Sequence, residues 1–148
     1  MEFDKEFLGK LLEQAMENPR LRQNFDLRTS SADTSQRMLN ALQPQTEVPI
    51  HRHENTAETV ICLVGKLEEI IYEEVNEYVH EATSCCDDVI RQKSFKEVSR
   101  QILSPAEGKF GIQIPAGVWH TINVIESSVI FEAKDGAYNE FGNTTDKK

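Results

Sequence analysis

The stretch Pro49-Ile50-His51-Arg52-His53-Glu54-Asn55-Thr56-Ala57-Glu58 places two imidazoles, a polar bend and a carboxylate close together, and the run Thr59–Val64 then carries the chain to Gly65. His51 and His53 are two apart in a segment with strand character, so both rings leave the same face. A hairpin through the bend sets the Glu58 carboxylate beside them. The matching half lies far along the chain, in Ile114-Pro115-Ala116-Gly117-Val118-Trp119-His120-Thr121-Ile122-Asn123. Pro115 and Gly117 make a tight turn into a strand and present His120 at its beginning. His120 reaches the first cluster only if the strands close into a barrel.

Working outward, short apolar stretches separated by turn residues predict strands at Arg37–Leu42, Val48–His53, Thr59–Val64, Leu67–Tyr72, Val98–Leu103, Gly111–Ile114, His120–Ile125 and Ser128–Ala133. Gly65 fits a turn between two of them. Such a series without long intervening helices is all-β, an antiparallel barrel or jelly roll over residues 36–134. Ahead of it, Phe3, Phe7, Leu8, Leu11, Leu12 and Ala15 recur at helical spacing, which predicts an N-terminal amphipathic helix within residues 1–18 that stops near Asn18-Pro19. Residues from Arg20 to Ser35 read as polar and irregular. The segment 75–97 mixes Tyr78, Val79, Val89, Ile90 and Phe95 with many charges and reads as a long hairpin or a lid. From Gly142 to Lys148 no apolar anchor remains, and a frayed tail is expected. With 148 residues, one domain spanning 1–148 is the default.

The composition narrows the function. A formal net charge of -9, with Lys and Arg scattered, argues against a nucleic-acid partner. No apolar run approaches the roughly 20 residues of a membrane helix, so a membrane partner is not expected. The acidic start, Met1-Glu-Phe-Asp, lacks the basic and apolar segments of a secretory signal, and cytoplasmic residence is the expectation. Cys62, Cys85 and Cys86 read as free thiols. Cys62, inside Val60-Ile-Cys-Leu-Val64, reads as a small buried hydrophobe, and Cys85-Cys86 lacks the second pair a zinc site needs.

Three of the four histidines fall into the one arrangement, and His80 stays outside it as a surface residue. A single His is more often a satisfied core or surface residue than a ligand. The pair, Glu58, the closing Gly65 and the distant Pro-x-Gly-x-x-His point together to a metal site. His51, His53, His120 and Glu58 form an N₃O set suited to one divalent transition ion: Fe, Mn, Ni, Cu or Zn. An octahedral ion held this way keeps two positions for water or substrate.

These residues match a known pattern. His51-x-His53, Glu58 and Gly65 resemble the first cupin motif, and Pro115-x-Gly117-x-x-His120 with Asn123 resembles the second. Gln45 stands where the first motif often begins with Gly, and Asn123 is one residue closer to His120 than usual. A wider resemblance is to the WbuC-type cupin-fold metalloproteins. It runs through Pro19-Arg-Leu-Arg22, Gln36-Arg37, Ala41-Leu-Gln-Pro44, Pro49-x-His-Arg-His53, Ile114-Pro-x-x-x-Trp-His120 and Phe131-Glu-Ala-Lys-Asp-Gly-Ala-Tyr138. Ala137 replaces the usual proline, and the 75–100 region carries extra residues. The resemblance implies a cupin barrel, a homodimer and genes lying among those for bacterial surface polysaccharides. It supplies no reaction.

The family-like stretches add Gln36, Arg37, Glu132 and Tyr138 as candidates to line the cavity. Arg37 suits two-oxygen recognition of a carboxylate or phosphate, or else a plain ion pair with an acidic neighbour. Glu132 suits a general base or an acceptor for a ligand imidazole, or else an ordinary strand-end charge. Trp119, before His120, points the other way into the core, and Asn123 holds a backbone or a ligand. Catalytic candidates are therefore Glu132, Tyr138 and Arg37. The expected ligand is a small polar metabolite such as a sugar or nucleotide sugar. It meets either a metal-dependent isomerase, lyase or oxygenase, or a non-catalytic binding or sensor module. A structural barrel with vestigial ligands is the third reading.

Overall fold

The computed structural model of the chain describes residues 1–83, 86–136 and 143–145, those of 81–83, 86–88 and 143–145 by backbone alone. Helix α1 spans Lys5–Glu17. Asp4 caps it, its carboxylate accepting from the Phe7 amide at 2.9 Å. Asn18 leaves the helix with extended dihedrals, as a residue before proline must. Leu11 and Ala15 are buried on one side, and the Phe7 ring meets Phe25 edge-on with centroids 5.2 Å apart.

The strands are β1 (Arg22–Asp26), β2 (Ser35–Leu42), β3 (His51–His53), β4 (Glu58–Thr83), β5 (Cys86–Leu103), β6 (Gly111–Ile114), β7 (Trp119–Asp135) and β8 (Asn143–Thr145), with a 3₁₀ turn at Pro105–Glu107. Every pairing among them is antiparallel. The long strands β4 and β7 run side by side and each serves two layers. The first half of β4 lies between β6 and the second half of β7, which continues to β2 and β1. The second half of β4 lies between β5 and the first half of β7, which continues to β3 and β8. The two layers fold together as an antiparallel jelly roll, in agreement with the expected all-β barrel. No helix among the described residues is long and apolar enough to cross a membrane.

The bend between the layers corrects one reading of Gly65. It ends no strand; the predicted strands Thr59–Val64 and Leu67–Tyr72 are one, as are His120–Ile125 and Ser128–Ala133. The ladder slips between Cys62 and Leu67, which makes Gly65 part of a bulge at the corner. Its φ is +96°, and a Cβ there would collide with the Ser127 carbonyl and the Ser128 Cα. The Lys66 amide donates to Ser128 Oγ at 3.0 Å, which stitches the corner shut. Gly65→Ala is expected to lower stability by about 1–2 kcal/mol, from the positive φ and the displaced backbone together. Urea denaturation reads this directly, and a midpoint unchanged from the parent would remove the corner's role.

Three other expectations are revised, and a fourth, for the segment 75–97, is settled as one of its two alternatives. Strand β1, within the segment read as irregular, pairs with β2 from Arg22↔Leu42 to Asp26↔Met38. Its alternation is masked because one face, Arg22, Asn24 and Asp26, is polar and lines a cavity. The strand expected at Val48–His53 shortens to β3: Pro49 has no amide for a ladder, and the Val48 carbonyl accepts from Thr121 Oγ1 at 2.6 Å instead. The segment 75–97 is hairpin, β4 pairing with β5 from Leu67↔Leu103 to Thr83↔Cys86. Asn143–Thr145, in the stretch expected to fray, pairs with β3. An open strand edge is held by backbone bonds, which need no apolar side chain.

Two cores fill the fold. Leu11, Ala15, Leu39, Ala41 and Val129 pack between α1 and the outer face of the β1–β2–β7 layer. Leu42, Val60, Cys62, Leu67, Leu103, Ile114, Ile122, Val124 and Ile130 fill the space between layers. Cys62 is the buried hydrophobe expected, and burial pushes its thiol up to about 11.

Candidate metal centre

Strands β3 and β7 set His51 directly across from His120. The turn ahead of β7 is held by Gly117, at φ +79°, whose amide donates to the His53 carbonyl at 2.7 Å. One hydrogen bond thus ties the two distant motifs. The ring centroids of His51 and His120 are 4.2 Å apart, those of His51 and His53 5.3 Å, and those of His53 and His120 5.6 Å. One ring nitrogen from each of the three lies within 4.8 Å of the others, a group that could hold a metal ion.

The tautomers suit that purpose. His51 Nδ1 lies 2.8 Å from the Pro49 carbonyl and His120 Nδ1 lies 2.9 Å from the Val118 carbonyl. A carbonyl only accepts, so each Nδ1 carries the proton and each Nε2 keeps its lone pair. His120 is 2% exposed, and its Nε2 has no hydrogen-bond partner among the described residues. A buried acceptor without a donor is costly, and a bound cation removes that cost. Burial, with the neighbouring His120 second, lowers His51 to about 4, and burial likewise lowers His120, so both rings stay neutral.

Glu58 opens β4 and its carboxylate contacts His53 Nε2. Burial pushes the Glu58 carboxyl up, but the His53 hydrogen bond and the charges of the three imidazoles outweigh it and hold the group below the ordinary range. A carboxylate held in its ionised form beside three imidazoles is the N₃O set read from the sequence. The residues present fit a divalent transition ion.

The cluster opens into a cavity of about 630 Å³ whose walls include Gln36, Asn40, Glu58, Glu132 and Lys134. Glu132 faces it, as one sequence reading had it, and burial followed by the Glu58 charge raises its carboxyl to about 8. Glu69 escaped the sequence reading. It is 0% exposed, both its carboxylate oxygens lack partners among the described residues, and burial followed by Glu58 and Glu132 raises it well above the ordinary range. Only its register opposite Ile122, which lines the cavity, reveals it, and the sequence carries no local signal of that register.

Other candidates lie elsewhere. Arg37 shares its face of β2 with Leu39 and Ala41, away from the cavity, and pairs with Asp33 at 2.7 Å. The ion-pair alternative holds there, because strand parity turns Gln36 inward and Arg37 outward. Tyr138 lies outside the described residues. Asn123 donates to Glu68 at 3.0 Å on the outer face, so it holds no ligand. Trp119 does point away from His120 and is buried, but under charged and aromatic cover: Phe95 with centroids 4.8 Å away, Arg52 at 4.7 Å and Lys93 at 4.4 Å from its ring. His80 is exposed, as expected.

Residues 3–83 match the profile of a family described as a domain of unknown function, DUF6016. The chain belongs to the DUF6016 family. No curated protein matches this DUF6016 chain. Among solved structures it is similar to the capsular polysaccharide assembling protein CapF from Staphylococcus aureus, at 15% identity and a TM-score of 0.55 over 88% of this chain and 33% of that one. It is also similar to oxalate oxidase in complex with the substrate analogue glycolate, at 11% identity and a TM-score of 0.55 over 86% of this chain and 56% of that one. A cupin-2 domain protein from Rhodospirillum rubrum gives 12% identity and a TM-score of 0.52 over 86% and 66%. The DUF6016 chain thus spans a third of CapF and just over half of the oxalate oxidase. At these identities the likeness is one of fold, and the fold is that of a cupin.

Proposed function

We propose that this chain is a cupin that holds one divalent transition ion on His51, His53, Glu58 and His120 and binds or acts on a small polar metabolite, a sugar or nucleotide sugar of surface-polysaccharide metabolism. The observation that carries the metal reading is the buried Nε2 of His120, left without a donor and aimed with His51 and His53 at a common point. The polysaccharide link is supported by the resemblance to WbuC-type cupins and by the fold likeness to CapF.

A bound ion supplies Lewis acidity toward a carbonyl or hydroxyl oxygen. The chain's own residues supply the rest. Pro49 and Val118 carbonyls fix the imidazoles, and the barrel walls limit water. Glu132, with its carboxyl near 8, holds a proton at neutral pH that it can deliver to substrate, and accepts one once ionised. A carboxyl tuned to that range beside a metal centre favours an enzyme over a passive binding module.

The test is elemental analysis of protein purified without chelators, followed by incubation of the metal-loaded protein with nucleotide sugars monitored by mass spectrometry. The expected result is near-stoichiometric transition metal and turnover that falls in Glu132→Gln while metal content stays. Protein that takes up no transition ion would end the metal reading. Metal-loaded protein that returns every sugar nucleotide unchanged would end the enzymatic one.

A further inference from the structure

The cavity wall opposite the imidazoles is built from β1 and β2, and two features of it have no role in holding a metal. The first is charge. Arg20, Arg22 and Arg28 all line the cavity, joined by Lys134, against three carboxylates, Asp26, Glu58 and Glu132. The chain as a whole carries -9, so a cavity lined by four basic side chains to three acidic ones is a local reversal. Arg28 is accounted for: Asp26 accepts from it at 3.0 and 3.1 Å. Arg20 and Arg22 have no ion-pair partner among the described residues, whereas Arg37 and Arg52 on other surfaces each have one and Arg100 has two. Two uncommitted guanidiniums on one wall of a concave site are suited to bidentate capture of a phosphate or carboxylate.

The second feature is a pair of buried acceptors. Gln36 Oε1 and Asn40 Oδ1 line the same cavity, and neither has a hydrogen-bond partner among the described residues. Gln36 is only 6% exposed. A buried amide oxygen needs a donor, and an anionic group offers none. Hydroxyl groups do. Strand pairing sets Asn24 opposite Asn40, so the hydroxyl-accepting and the cationic elements are adjacent along one sheet.

We infer that the ligand is an anionic polyhydroxy compound of the sugar-phosphate or sugar-acid class, its negative group seated on Arg20 and Arg22 and its hydroxyls donated to Gln36 and Asn40. This rests on the metal-centre reading for the ligand's far end and deepens it by naming the class. Both halves are needed: the arginines alone would take any small anion, and the amides alone any neutral sugar.

The experiment is calorimetric titration of the metal-loaded full chain with four probes: glucose 1-phosphate, glucuronate, glucose and inorganic phosphate. Either charged sugar is expected to bind roughly tenfold or more tighter than both glucose and phosphate. Whichever of the two leads tells a phosphate ligand from a carboxylate one. In Arg20→Gln/Arg22→Gln that advantage over glucose is expected to vanish with metal content and thermal midpoint unchanged, and Gln36→Leu is expected to remove the advantage over inorganic phosphate. Metal-replete protein that binds charged sugars no better than glucose, or no better than phosphate, overturns the inference and leaves the metal centre standing. Protein that takes up no metal, yet keeps the same order of affinities, overturns the metal reading and leaves the anionic-sugar assignment standing.

Discussion

Replacing His120 by alanine is expected to lower affinity for divalent transition metal by more than roughly a hundredfold, because residues that merely orient a metal ligand already cost about 10–100-fold when removed. His120 is the ring for which the structure leaves least alternative. It sits at 2% exposure with its Nδ1 engaged by the Val118 carbonyl and its Nε2 without a partner. His51→Ala removes the ring nearest to it and is expected to behave alike. Removing a buried side chain also leaves a cavity, so a fall in metal content must be separated from a fall in folding. His120→Gln keeps most of the volume and serves that purpose, with circular dichroism confirming the fold. Asn123→Ala, on the outer face, should retain full metal and parent stability within about 0.5 kcal/mol. The idea fails if His120→Gln folds normally and binds metal as the parent does.

The histidine group that could hold a metal was legible in the sequence because its arrangement depends on two local rules. Alternation along β3 puts His51 and His53 on one face, and a Pro-Gly turn starts β7 at His120. Both rules act within a few residues. What was not legible depends on partners far along the chain. Gly65 was visible as a special position, but whether it turns the chain or bulges a continuous strand is decided by Ser127 and Ser128 across the corner. Arg37 and Gln36 were equal candidates until α1 was seen to cover one face of β2, which commits odd positions to core and even ones to the cavity. Strand β1 was missed for a related reason: a strand whose inner face lines a polar site carries only Phe25 as its apolar mark within Arg22–Asp26. Glu69 was invisible because a glutamate in a strand ordinarily reads as solvent-facing, and only the register with Ile122 turns it inward.

That inward carboxyl leads to the second large effect, which concerns pH. In the metal-free protein four buried groups oppose one another in pairs. His51 falls from an ordinary 6.5 to about 4 and His120 falls in the same direction, both chiefly through burial. The unfolded chain therefore binds more protons than the folded one until pH passes 6.5, and stability rises with pH up to that point. Glu132 is raised from an ordinary 4.5 to about 8, and Glu69 is raised well above that ordinary value, again chiefly by burial. For these the folded state holds the proton that the unfolded state has lost, so stability declines as pH rises from 4.5. Between about 5 and 6.5 the two pairs offset each other. Above 6.5 the histidines have finished titrating and only the carboxyls remain. Glu132 contributes a loss of about 1.4 kcal/mol per pH unit until pH nears 8. From pH 6.5 to 8 Glu132 alone should remove about 2 kcal/mol, with Glu69 adding in the same direction. Lys134 is lowered by burial from 10.5, which opposes this decline at the alkaline end, while the depressed carboxyls of Asp26, Asp33 and Glu68 act below the window. Urea midpoints of chelator-treated protein should therefore change little between pH 5 and 6.5 and fall from there toward pH 8. Glu132→Gln, which titrates nowhere, should flatten part of that fall, and Glu69→Gln should flatten the rest. A midpoint that holds steady or climbs between pH 6.5 and 8 would mean that the two carboxyls ionise freely in the folded state, and that the barrel interior is wetter than its packing implies.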